Sequence, residues 1–406
     1  MQRVKPENVG LCTARLNRIN DHLNSRYIEP GKIPGSVTLV ARRGQVCFLE
    51  KAGRRDVERD LPMEEDTIFR IYSMSKPITS VALMMLYERG LFHLRDPVHR
   101  FIPEWRELRV FKSGSWPNYE TVPCEQPMTV RDLLTHMSGL TYGFMRSSNV
   151  DYGYRKMQVQ HARPGYTLQN MIEELAQLPL EFQPGAAWNY SVATDVVGYL
   201  VEVLSGKSLD VFLEEEIFAP LGMTDTSFSI AEEKMARFAS CYLRTPDKTT
   251  VLQDDAQASE FRHRGFFGGG GGLLSTTNDY YRFCQMLRNG GELDGARLLG
   301  PRTLALMTAN HLPDGDDLTR WARGSFSQTS NEGIGFGLGF ARRINPVANA
   351  TLGSEGEFHW GGMASTLFWV DPVEDLVVIF MTQLMPSGSF DFRSQLQSLV
   401  YSAITD

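Results

Sequence analysis

The apolar positions of this chain follow two rhythms. Near the start, Leu16, Ile19 and Leu23 recur at helical spacing and predict a helix between Ala14 and Arg26. The period then changes. Val37-Thr38-Leu39-Val40 and Val46-Cys47-Phe48-Leu49 flank Arg42-Arg43-Gly44-Gln45, which reads as a hairpin. The far end mirrors this. Ser365 to Val370 and Leu376 to Met381 flank a polar turn, and the second run is so uniformly apolar that it predicts a strand buried on both faces. Phe392, Leu396, Leu399, Val400 and Ala403 then share one face of a closing helix.

The middle of the chain has a different texture. Helical patches at Val130–Thr135, Leu168–Gln177, Thr194–Leu204 and Leu209–Phe218 are separated by loops rich in Pro, Gly and aromatic residues. The economical arrangement is an α/β fold of the α+β type. One antiparallel sheet is built from both chain ends and flanked by helices, with a mostly helical lobe inserted. In residue terms, 1–95 and 266–406 form one domain and 96–265 the other, with a ligand cleft between them.

Composition narrows the function classes. A chain of 406 residues is long enough to bury a large core without disulfides or metal. With 41 basic against 48 acidic residues, and no basic run longer than two, it lacks the positive field that nucleic-acid binding needs. Its five scattered cysteines form no Cys-x-x-Cys, so neither a zinc site nor a disulfide scaffold is expected. The eight histidines show no His-x-x-x-His spacing, and no metal or other cofactor is expected. The first residues carry no apolar signal region, and the apolar stretch Ile78 to Leu86 is too short to span a bilayer. A cytoplasmic location follows as the expectation.

Candidate chemistry starts at Ile71-Tyr72-Ser73-Met74-Ser75-Lys76-Pro77. Downstream, Ile78, Val81, Ala82, Met85 and Leu86 mark an amphipathic helix that ends near Gly90. Pro77 then belongs in its first turn, which places Ser73 at the helix N-terminus and Lys76 three residues on along the same face. That end of a helix favours developing negative charge on a serine oxygen and disfavours a neighbouring ammonium, so the amine can serve as a base. Taken alone, Ser-x-x-Lys is more often a surface serine near a surface lysine; its placement at the start of a buried apolar helix, after the extended Ile68-Phe69-Arg70-Ile71, is what sharpens it. Two further segments stand out. Gln183-Pro184-Gly185-Ala186-Ala187-Trp188-Asn189-Tyr190-Ser191 leads by an aromatic loop into a helix, where Tyr190 can equally be a core ring with its hydroxyl at the rim. Phe358-His359-Trp360-Gly361-Gly362-Met363-Ala364-Ser365 enters a strand through two glycines that allow a ligand close to backbone N–H groups. The run Gly268 to Gly272 lacks the Gly-Lys-Ser/Thr of a phosphate loop and reads as a tightly packed turn and strand near the cleft. No Gly-x-Ser-x-Gly nucleophile elbow is present.

With these segments in this order, the chain resembles the serine β-lactamase and penicillin-binding superfamily. It is most similar to the family VIII carboxylesterases, which have the class C β-lactamase fold. The resemblance extends through Met128 to Leu140, Phe218 to Thr226, Gly269 to Thr277 and the Asn289-Gly290-Gly291-Glu292-Leu293 turn. It implies that Ser73 is the nucleophile, Lys76 its base partner and Tyr190 the proton relay, with the backbone N–H groups of Ser73 and Met363 as the oxyanion hole. Two departures from the lactamases bear on substrate. Val192 stands where they have Asn, and Trp360-Gly361-Gly362 replaces their Lys-Thr-Gly. An apolar wall of Trp360, Gly361, Gly362 and Val192, with His359 beside it, suits a small neutral ester. The resemblance therefore implies a serine carboxylesterase working through an acyl-enzyme on short-chain esters, with slow attack on strained β-lactams such as cephalosporins left open. The alternatives are a β-lactamase or D-amino-acid peptidase, an acyltransferase, and a catalytically silent scaffold.

Overall fold

The computed structural model describes residues 2–161, 163–324 and 331–406. Its main sheet has eight antiparallel strands: β1 (Gly35–Arg42), β2 (Gln45–Asp56), β3 (Leu61–Pro62), β4 (Ile334–Phe336), β5 (Ala341–Arg343), β6 (Phe358–Gly361), β7 (Leu367–Asp371) and β8 (Leu376–Met381). Their spatial order is β4-β5-β6-β7-β8-β1-β2-β3, so the first and last parts of the chain meet where β8 pairs with β1. Val37 lies opposite Met381 and Leu39 opposite Ile379 in that seam. Every residue of β1 and β8 is buried, as expected for central strands covered on both faces.

The pleat divides the apolar residues between two layers. Val40, Phe48, Trp369, Val378 and Phe380 face the N-terminal helical segment (Leu16, Ile19, Leu23) and the closing helix, through Phe392, Leu396 and Val400. Val37, Leu39, Trp360, Phe368 and Ile379 face the larger core, which continues without a break into the helices of the middle segment. Within residues 96–265 there are also two hairpins, Arg109–Ser115 with Asn118–Pro123 and Cys241–Arg244 with Thr250–Asp254. The strand at Cys241–Arg244 pairs in parallel with Leu384–Met385, so the chain rejoins its C-terminal part ahead of residue 265. No helix among the described residues is long and apolar enough to cross a membrane.

Four helices position the site: α1 (Ser75–Glu88), α2 (Ala193–Ser205), α3 (Thr277–Arg288) and α4 (Phe392–Tyr401). The sequence pattern describes α1 as amphipathic, but in the structure it is buried on every side from Ser75 to Leu86. Its polar face is small enough to be packed rather than wetted. Thr79 Oγ1 donates to Gly269 O at 2.8 Å, and a Cβ on Gly339 would lie 2.3 Å from Ser80 Oγ.

Candidate active site

Ser73 lies in a 3-10 turn, Tyr72–Met74, that runs directly into α1, so the regular helix starts two residues later than the serine. The turn is held from several sides. Ile71 N donates to Leu273 O at 3.1 Å, Leu273 N to Ser75 Oγ at 3.1 Å, and Tyr280 OH to Met74 O at 2.9 Å. Tyr72 has φ 41°, a left-handed conformation that is costly for a side chain this bulky. Such strain beside a candidate nucleophile is tolerated because the flanking hydrogen bonds over-determine the turn.

Lys76, one residue into α1, is only 1% exposed. Its Nζ donates to Ser73 Oγ at 3.2 Å and to Gly270 O at 2.6 Å, and lies 4.6 Å from the centre of the Tyr190 ring. Tyr190 OH meets Ser73 Oγ at 2.6 Å. Residues 73, 76 and 190 thus converge on one oxygen, although 117 residues separate Ser73 from Tyr190. The loop before α2 is fixed for this purpose. Asn189 N donates to His136 O at 2.9 Å, Asn189 Nδ2 to Leu140 O at 2.9 Å, and Val192 N to Thr141 O at 3.2 Å. The Tyr190 ring packs among His136, Tyr142 and Trp360, with centroids 5.1, 5.2 and 5.6 Å away. Burial, and secondarily the Lys76 charge, hold His136 well below the ordinary histidine range. A neutral imidazole beside Ser191 Oγ at 3.2 Å is an anchor for this loop.

The end of β6 closes the other side. Trp360 contacts the Tyr190 ring, and its carbonyl accepts from Arg393 Nη2 of α4 at 2.7 Å. Gly362 packs against the chain just before the serine, where an added Cβ would lie 2.4 Å from Ile71 O. Gly361 and Met363 flank it, both partly exposed. Two residues expected at the substrate wall lie elsewhere. Val192 is wholly buried at the start of α2 and shows no surface to a ligand. His359 alternates with Trp360 along β6 and so faces the opposite side of the sheet, where its Nδ1 is 3.5 Å from Glu357 Oε1. Burial, helped by the Arg393 guanidinium, pushes this imidazole down to about 4.

Two contributors escape sequence reasoning. Gly270 supplies the carbonyl that receives Lys76, and the run Gly268 to Gly272 is the trace it leaves in the sequence. Tyr142, whose ring centre is 5.4 Å from Lys76 Nζ, leaves no local signal. Chemically, a half-buried hydroxyl that shares its oxygen with a phenol and an amine can pass its proton to either as it attacks an electrophile.

A family profile described as Beta-lactamase matches residues 21–401. Protein Rv1367c of Mycobacterium tuberculosis is 34% identical over 89% of this chain and 89% of its own. Esterase EstB of Burkholderia gladioli is 30% identical over 98% of each chain. Among solved structures, EstCE1, described as a hydrolase with promiscuous acyltransferase activity, superposes with a TM-score of 0.78 at 26% identity, covering 96% of this chain and 98% of its own.

Proposed function

The chain belongs to the beta-lactamase family, and from that premise we propose that it is a serine carboxylesterase of the family VIII type, cleaving short-chain neutral esters. The observation that carries this reading is the convergence of Tyr190 OH (2.6 Å) and Lys76 Nζ (3.2 Å) on Ser73 Oγ. Ser73 Oγ attacks the ester carbonyl carbon, and its proton passes to the Tyr190–Lys76 pair. The carbonyl oxygen gathers negative charge and is received by the backbone N–H groups of Ser73 and Met363. As the ester C–O bond breaks, the leaving alkoxide takes the proton through Tyr190. Water then attacks the acyl-enzyme by the same route in reverse. Relative to the lactamases, the site offers the apolar Trp360 in place of a cation, so an anionic substrate gains no charge pairing there.

The esterase name of the relative EstB and the hydrolase description of EstCE1 support this reading. The acyltransferase description of EstCE1 favours a second outcome at the same site, in which an alcohol replaces water in the second half-reaction. Five free cysteines among the described residues suit a reducing cytoplasm. The test is turnover of p-nitrophenyl esters of increasing acyl length beside a chromogenic cephalosporin, together with titration by an organophosphate. A short ester should exceed the cephalosporin by about tenfold or more in kcat/KM, about 1.4 kcal/mol. The label should reach wild type and be absent from Ser73→Ala. A cephalosporin hydrolysed faster than every simple ester would replace the esterase reading with a lactamase one.

A further inference from the structure

One buried carboxylate stands behind the lysine. Asp195, in the first turn of α2, is 1% exposed. Its Oδ1 accepts from Gly270 N at 2.9 Å, and its Oδ2 accepts from the Gln160 amide. The Gly270 carbonyl is the group that receives Lys76 Nζ at 2.6 Å. One glycine therefore touches the carboxylate with its N–H and the amine with its C=O. The fit admits no side chain, since a Cβ on Gly270 would lie 2.6 Å from Asp195 Oδ2.

We propose that Asp195 is a positioning residue for Lys76. Its carboxylate clamps Gly270 so that the amine stays within reach of Ser73. This rests on the reading of Ser73 and Lys76 given above. The groups facing Lys76 are Ser73, Tyr142, Tyr190, His136 and Asp195, and Arg264 also acts on Asp195. Burial raises the Asp195 carboxyl, and Lys76 is the first influence opposing that rise.

Asp195→Asn keeps the clamp, because the amide oxygen can still accept from Gly270. The test is kcat and KM for a p-nitrophenyl ester, and the rate of organophosphate labelling, in wild type, Asp195→Asn, Asp195→Ala and Ser73→Ala. Asp195→Ala, which loosens the clamp, should lose about 100-fold in kcat and in labelling rate with little change in KM. Asp195→Asn should recover most of that loss. A folded Asp195→Ala enzyme with kcat near wild type, or an Asp195→Asn enzyme no faster than Asp195→Ala, beside an inactive Ser73→Ala would overturn the inference and leave the esterase reading standing. An active Ser73→Ala would instead remove the reading on which it rests.

Discussion

Gly362→Ala tests the geometry between β6 and the serine with the smallest available perturbation. The added Cβ would stand 2.3 Å from Thr366 Oγ1 and 2.4 Å from Ile71 O. A relaxed carbon–oxygen contact is about 3.3 Å or more, so a separation of roughly 1 Å has to be found. The threonine hydroxyl can rotate away. The Ile71 carbonyl is main chain, two residues before Ser73, and the turn that follows it is fixed by Leu273 and Tyr280. The strand end carrying Met363 therefore has to move away from Ser73. Overpacking of this kind costs about 1–3 kcal/mol of stability. If the Met363 N–H is the oxyanion donor, as proposed, a displacement near 1 Å should lower kcat about 100-fold, or about 2.7 kcal/mol of transition-state stabilisation. The assay is kcat and KM on p-nitrophenyl butyrate, with urea unfolding to show that the variant remains folded. KM should change little, because the lost interaction is made in the transition state. A folded Gly362→Ala enzyme with kcat within about threefold of wild type would refute the placement of the oxyanion hole at this strand end.

Other changes separate neighbouring roles. Ser73→Ala should abolish turnover with stability unchanged, whereas Ser75→Ala should retain turnover but lose about 1–3 kcal/mol in urea unfolding, because Leu273 N loses its 3.1 Å acceptor in a buried site. The opposite pairing of effects would move the nucleophile to Ser75. Trp360→Lys should depress ester kcat/KM by about tenfold or more and favour a carboxylate-bearing cephalosporin. An unchanged ester-to-cephalosporin ratio would mean that Trp360 does not set substrate charge preference. His359 is held neutral with a folded value of about 4 against an ordinary 6.5. The unfolded chain therefore binds its proton first, and this contribution to stability is full above about pH 6.5 and fades as the pH falls towards 4. Between pH 7 and 5 the loss amounts to about 2 kcal/mol, and His359→Gln should lack that part of the slope in urea titrations at the two pH values. Identical slopes would show that His359 does not titrate in this way.

Much of this architecture is legible as local pattern. The hairpin at Val37 to Leu49, the doubly buried strand Leu376 to Met381 and the closing helix follow from periods of two and 3.6, since each reports which side of one element meets apolar neighbours. The Ser73–Lys76 pair is equally local, because one helical turn brings positions three apart together. Strand alternation in the sequence also carried a signal that a reading by motif passes over: adjacent on β6, Trp360 and His359 cannot both face the cleft. The tertiary structure alone decided the rest. It packed the Ser75, Thr79 and Ser80 face of α1 away from water, because the glycine run and Gly339 lie close enough to replace solvent. It sealed Val192 in the core, brought Tyr190 to Ser73 and set Gly270 between Asp195 and Lys76. Periodicity records only that a side chain needs a partner. Which partner it meets, across 117 residues in one case and 194 in another, depends on how whole elements dock, and no local repeat encodes that.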